Sequence, residues 1–199
     1  MSTKEILLIG ALDTKGDEYR FVADLLREGG LGVLVADTGV LGDPQALTPD
    51  ISSESIAQEA GTSLDELRAS GDRGAAMTAM AEGVARTTRR LHEQGRIAGV
   101  LGMGGTGGTS VISAAMRELP IGFPKVLVST AAAGDTRPIV GTRDVILIPS
   151  VVDVAGVNRI SRLVFAEAAA AMVGLVNAAT PDQEADKPIV AISMFGNTT

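Results

Sequence analysis

Residues 101–112, LGMGGTGGTSVI, set five glycines and two threonines between an apolar run and the start of a helical pattern. Backbone N–H groups left bare of side chains, followed by helix amides with no intrahelical acceptor, make a place for an anion. Two nucleotide motifs are met here, each incompletely. Gly102, Gly104 and Gly107 fit G-x-G-x-x-G, whereas Gly102 to Thr109 fit G-x-x-x-x-G-K-T except that Gly108 stands where the lysine belongs. A dinucleotide site wants an acidic residue at the end of the following strand, and that run ends in Ser129-Thr130. A P-loop wants a cation at the β- and γ-phosphates, which Lys15, Arg137 or Arg143 would bring from elsewhere. A turn that only lets helix and sheet approach needs fewer glycines. The run therefore reads as an anion cradle of Gly104, Gly105, Thr106, Gly107, Gly108 and Thr109, with Ser110 adding a hydroxyl.

Further polar residues gather where apolar runs end. Asp13-Thr14-Lys15-Gly16 follows the first run and Asp37-Thr38-Gly39 the second; Ser129-Thr130 and then Gly134-Asp135-Thr136-Arg137 follow the fourth. In a parallel sheet all of these share one edge, where open α/β sheets bind their ligands. Lys15 is then a candidate phosphate contact, Asp13 and Asp37 candidates for a ribose or Mg²⁺, and Asp135 a metal or ribose partner. Each has a plainer reading as well: a solvated lysine, helix or turn caps, a bare turn. His92, the single histidine, lies in ARTTRRLHEQGR and reads as a surface helix residue, so no Ser-His-Asp set can be assembled. Arg86, Arg89 and Arg90 read as a solvated face. Asn158, Arg159 and Arg162 point to the strand-end edge or to an oligomer surface.

The elements that must position these groups alternate. Nearly continuous apolar runs at 6–11, 32–36, 98–103, 126–130, 145–149 and 189–194 read as strands covered on both faces. Helical patterns fall at 17–28, 64–69, 73–94, 110–119 and 154–178. Such alternation predicts an α/β, doubly wound, mainly parallel sheet flanked by helices, a Rossmann-like three-layer fold. The polar segment 43–63, with a short helix from Ser55, is long for a connection and suits a cover over a site. KPIVAISMFGNTT near the end echoes KEILLIGALDTK near the start, across the polar linker TPDQEADK. The domains read as 1–180, nucleotide-binding-like, and 181–199, a linker and the first strand of a second α/β domain.

Composition narrows the function. With 45% apolar and 21% charged residues the chain has the make-up of a soluble domain. A net charge of -7 argues against nucleic acid as a partner, which needs a basic face. Zero cysteines exclude disulfides, thiolate–zinc sites and cysteine nucleophiles. The opening MSTKEILLIG is too short an apolar run for a signal peptide, and no run is read as membrane-spanning, so the expectation is cytoplasmic with no membrane partner.

ALDTKGDE (11–18), DRGAAMTAMAEG (72–83), GMGGTGGTSV (102–111), LPIGFPKVLVST (119–130), AAAGDTRPIVGTRDV (131–145) and SVVDVAGVNRISR (150–162) together resemble the Tm-one-like ATP-binding domain family. The likeness covers nearly the whole chain and implies the first of two α/β halves and an ATP ligand. The family's plant member acts by binding a viral replication protein, a role that does not carry over. The family usually has serine where this chain has Ala133 and tyrosine where it has Ile139; Thr106 replaces a serine and keeps the hydroxyl.

The expected function is ATP or nucleotide binding, with Mg²⁺ as a companion ion, in a domain that pairs as a homodimer. Phosphates would lie on the glycine loop with Thr106, Thr109 and Lys15 adding contacts. The alternatives are an enzyme acting on a phosphorylated or carboxylated metabolite between two halves, using Asp13, Lys15 and Asp135, and a partner-binding module with an apolar patch away from the strand ends. An apolar slot beside the loop separates the nucleotide from the metabolite, whose site would be closed and polar.

Overall fold

The structure is a computed structural model that describes residues 5–178. The expected linker and the strand at 189–194 lie outside the described residues. Five strands, β1 (Glu5–Gly10), β2 (Gly32–Asp37), β3 (Gly99–Gly104), β4 (Lys125–Ser129) and β5 (Ile146–Pro149), form one parallel sheet in the order β2-β1-β3-β4-β5. Among the described residues seven helices cover it: α1 (Leu12–Glu28), α2 (Ser53–Glu59), α3 (Leu64–Ser70), α4 (Arg73–Glu93), α5 (Thr106–Arg117), α6 (Arg137–Val140) and α7 (Arg159–Asn177). This is the doubly wound, three-layer α/β architecture that the alternation predicts.

Alternation along β1 splits the core in two. Ile6 and Leu8 face α1 and α7, packing with Val22, Leu26, Phe165 and Met172. Leu7 and Ile9 face the opposite layer, against Met80 and Val84 of α4 and Val111, Ile112 and Met116 of α5. Strands sandwiched this way carry no polar face, which is why they read as continuous apolar runs.

α7 departs from the expectation that no run suits a membrane. Its alanine-rich length and mean hydropathy of 1.4 are enough to cross one, yet it lies on the sheet with Val164, Phe165, Ala168 and Met172 buried. Its start shifts from the expected 154 to Arg159, because Asn158 and Ser161 close a capping box that fixes the first turn. The 43–63 segment is also displaced from its expected role. Ile51 bridges to Ala36 beside β2, and the carbonyl of Gln45 runs so close to Gly16 that a Cβ there would sit 1.9 Å from it. It clamps α1 and the sheet edge; none of it lines the cavity described next.

Candidate functional site

The sheet order reverses between β1 and β3: the chain leaves β1 toward β2 and later returns to lay β3 on the other side. Beyond the carboxyl ends of strands at such a reversal, open α/β sheets leave a crevice. Here it is a cavity of about 730 Å³. Three helix starts meet around it: Asp13, Thr14 and Lys15 of α1, Arg73 of α4, and Thr106, Gly107 and Gly108 of α5. Residues 38–41 after β2, Leu67 and Arg68 of α3, and Met77 and Met80 of α4 add further wall.

The glycines divide by what surrounds them. A Cβ on Gly102 would lie 2.5 Å from Cγ2 of Ile112, and one on Gly104 would lie 3.1 Å from Cα of Gly108, so these two serve close packing. Around Gly108 nothing lies within 4 Å of a Cβ, and around Gly105 the nearest atom is 3.9 Å away. Neither has a positive φ. Among the described residues nothing crowds a side chain at 105 or 108, and their bareness keeps the cavity floor open. α5 begins four residues earlier than its expected start at 110, so Gly107 and Gly108 belong to its first turn. Gly105 caps it without a side chain, and the first amides, from Thr106 to Gly108, have no intrahelical acceptor.

Of the residues expected at the site, Asp13, Thr14, Lys15, Gly104, Gly105, Thr106, Gly107 and Gly108 line this one cavity. The others do not. Thr109 and Ser129 are buried with their hydroxyls 2.6 Å apart, joining α5 to β4 beneath the cradle, and Ser129 Oγ also accepts from Ala131 N at 2.9 Å. Gly134 and Asp135 lie outside the cavity; Asp135 is held on the surface by Arg137, whose guanidinium and backbone bonds keep its carboxyl below the usual range. Arg143 donates to Arg117 O and supplies no charge to the cradle.

The two carboxylates at the first strand ends work on backbone. Asp13 Oδ2 accepts from the amides of Leu41 and Gly42, at 3.0 and 3.3 Å, and so holds the 38–42 wall to the start of α1. Asp37 is buried outright, with Oδ1 taking Leu12 N at 2.9 Å and Gly39 N at 2.8 Å and the Ser53 side chain close by its carboxyl. Burial pushes its carboxyl up, the two amide bonds and the Ser53 side chain oppose that, and the charge of Asp13 adds to it, with the net shift upward. A folded-state value above the unfolded one means the native protein takes up the proton first. Stability is therefore lost as pH rises from the ordinary carboxylate range through the raised one. Asp37→Asn keeps the Oδ1 acceptor and removes the charge, so the variant loses that slope. Urea midpoints of both proteins from pH 3.5 to 7 should diverge upward in favour of the variant; parallel curves would mean Asp37 is not charged against its surroundings.

Lys15 breaks the helix geometry of α1 at φ -134°, ψ 24°, and its ammonium donates to Val154 O, while Glu18 Oε1 accepts from Gly156 N. Lysine and glutamate together strap the 150–158 loop to α1. Sequence reasoning placed no site residue on α3 or α4, yet Arg68, Arg73, Met77 and Met80 line the cavity. The available signal was Asp72 before a long helical pattern: it caps α4 through Ala75 N, and a capped helix start is a directed end. Where that end points is set by α4 packing on α5. Among the described residues no cluster of three or more acidic or histidine side chains could hold a metal.

Residues 4–181 match the model of the N-terminal domain of UPF0261, described as an uncharacterised protein family. UPF0261 proteins of Clostridium tetani and Mesorhizobium japonicum are 43% and 41% identical over 196 residues, covering 98% of this chain and 48% of each relative. The ToMV resistance protein Tm-1 of Solanum lycopersicum is 32% identical, with 100% of this chain matched to 29% of the plant protein. The chain thus spans about half the length of the bacterial relatives.

Proposed function

The chain belongs to the UPF0261 family, and on that premise we propose that its domain binds a nucleoside phosphate, ATP with Mg²⁺, in the switch-point cavity. The carrying observation is the floor of bare, uncapped α5 amides at Thr106, Gly107 and Gly108, set directly beside an apolar slot. Phosphate charge is favoured at such a helix start, where the dipole is positive and the amides lack acceptors. Val40, Leu41, Leu67, Met77, Met80 and Ile112 supply apolar wall suited to a base. A small carboxylated or phosphorylated metabolite calls for a closed polar chamber, and this one is open and largely apolar-walled. Mg²⁺ in this reading arrives with the phosphates, since a nucleotide-bound Mg²⁺ needs only one or two carboxylates. Asp13 and Asp72 are the carboxylates on the wall, with Asp13 Oδ2 bonded to the Leu41 and Gly42 amides and Asp72 Oδ1 capping α4.

Calorimetric titration with ATP and Mg²⁺, with inorganic phosphate and NADH in parallel, tests this directly. Saturable ATP binding is expected, with NADH silent. Phosphate binding without ATP binding would replace the nucleotide by a small phosphorylated metabolite.

A further inference from the structure

We propose that Arg73 is the phosphate-reading cation of this cavity, standing in for the lysine that the glycine loop lacks at Gly108; the assignment rests on the nucleotide reading above. Arg73 is the first residue of α4, and its Nη2 lies 3.9 Å from the Cβ position of Gly107, the second residue of α5. Among the described residues its guanidinium makes no hydrogen bond or ion pair. The other cations on the wall are engaged: Lys15 with Val154 O, and Arg68 Nε with Val40 O at 2.6 Å. Arg73 is the charge left over.

Gly107 is what allows the approach. A Cβ there would stand 3.0 Å from Cε of Met77, one turn along α4 from Arg73, so a side chain at 107 would crowd Met77 and fill the gap between α5 and the guanidinium. The result is a row of neutral amides on one side and a planar, always-charged fork on the other. A guanidinium presents two parallel N–H donors in a fixed planar fork that matches a pair of phosphate oxygens, a geometry an ammonium does not preset. The ligand class is therefore a phosphorylated nucleoside whose phosphate lies between α5 and Arg73, and the phosphate supplies the countercharge that the described residues do not.

The test uses ATP and inorganic pyrophosphate as probes on wild type, Arg73→Met and Arg73→Lys, with thermal melting of each unliganded protein. Arg73→Met should weaken both probes roughly tenfold to a hundredfold, the span of one charge-assisted bidentate contact. Its unliganded melting temperature should stay within about 2 °C of wild type, as expected for a surface side chain with no partner to lose. Arg73→Lys should recover part of the loss. Unchanged ATP affinity in Arg73→Met overturns the assignment, as does a fall in affinity matched by a fall in melting temperature. Should wild type bind pyrophosphate in an Arg73-dependent way but ignore ATP, the nucleotide reading fails and Arg73 stands as an anion contact. Silence of wild type to both probes overturns both.

Discussion

Gly108→Glu is expected to melt at a higher temperature than wild type and to bind no ATP. The two effects have separate physical sources. Gly108 is the third residue of α5, and a Cβ there meets nothing within 4 Å. Replacing glycine in a helix gains about 0.5–1 kcal/mol in propensity. A carboxylate in the first turn adds about 0.3–1 kcal/mol against the helix dipole. Together that is on the order of 1 kcal/mol, or roughly 2–4 °C for a domain of this size. The same carboxylate occupies the place proposed for a phosphate and repels it, so ATP affinity should fall by more than about a hundredfold. Differential scanning fluorimetry and calorimetry on one preparation give both readouts. A lowered melting temperature would mean that Gly108 is a packing glycine. Retained ATP binding would move the phosphates off α5 altogether.

What the sequence made legible follows from which signals are local. Strands covered on both faces have to be apolar throughout, so all five described strands were marked within a residue or two, and their parallel order followed from the helices between them. Helix starts were less visible. Five glycines in 102–108 suppress helix propensity, yet α5 begins at Thr106 because packing on α4 and β3 overrides it. α1 likewise begins at Leu12, ahead of the break at Lys15, since Asp37 Oδ1 holds Leu12 N in place. The four-residue helix α6 and the parallel bridge at Ile51 had no pattern long enough to see.

At the site, the strand-end rule located Asp13, Lys15 and the glycine run on one edge, because chain order and parallel pairing alone decide that. It could not tell inward from outward. A polar side chain at a strand end serves either a ligand or the unpaired backbone of the next loop, and Asp37, Thr109 and Ser129 serve the backbone and one another. Arg73 and Met77 escaped for a different reason. They lie in the long crossover between β2 and β3, and their position over the cradle depends on the α4–α5 contact, the most extensive helix pairing in the fold. Apolar residues of both helices record that each is buried, such as Met80 and Val84 of α4 and Val111 and Ile112 of α5, but not that they pack on each other.

The second large effect is expected at the seam that creates the cavity. Tyr19 of α1 is fully buried, and its Oη accepts from Met103 N at 2.8 Å while lying 2.6 Å from both Ile9 O and Met103 O. Burial holds the phenol protonated far above its usual range despite the opposing bond from Met103, so it donates at any working pH. One hydroxyl thus ties the end of β1 to the end of β3, the two strands between which the sheet order reverses. Gly10 makes room for it: a Cβ there would lie 1.9 Å from Cζ and 2.2 Å from Oη. Gly10→Ala must expel the ring, leaving a buried amide and a carbonyl unpartnered, at a cost of about 4 kcal/mol or more by the usual penalty for such groups. Tyr19→Leu loses the same bonds and some packing, about 3–5 kcal/mol. In the double variant the methyl added at position 10 enters space the phenol has left, so its cost should stay near that of Tyr19→Leu alone. The coupling would then be at least about 2 kcal/mol in the direction of rescue. Urea unfolding of the four proteins measures it. Additive losses would mean that Gly10 is required for some reason other than Tyr19, and the hydroxyl would no longer account for how β1 and β3 are held at the mouth of the site.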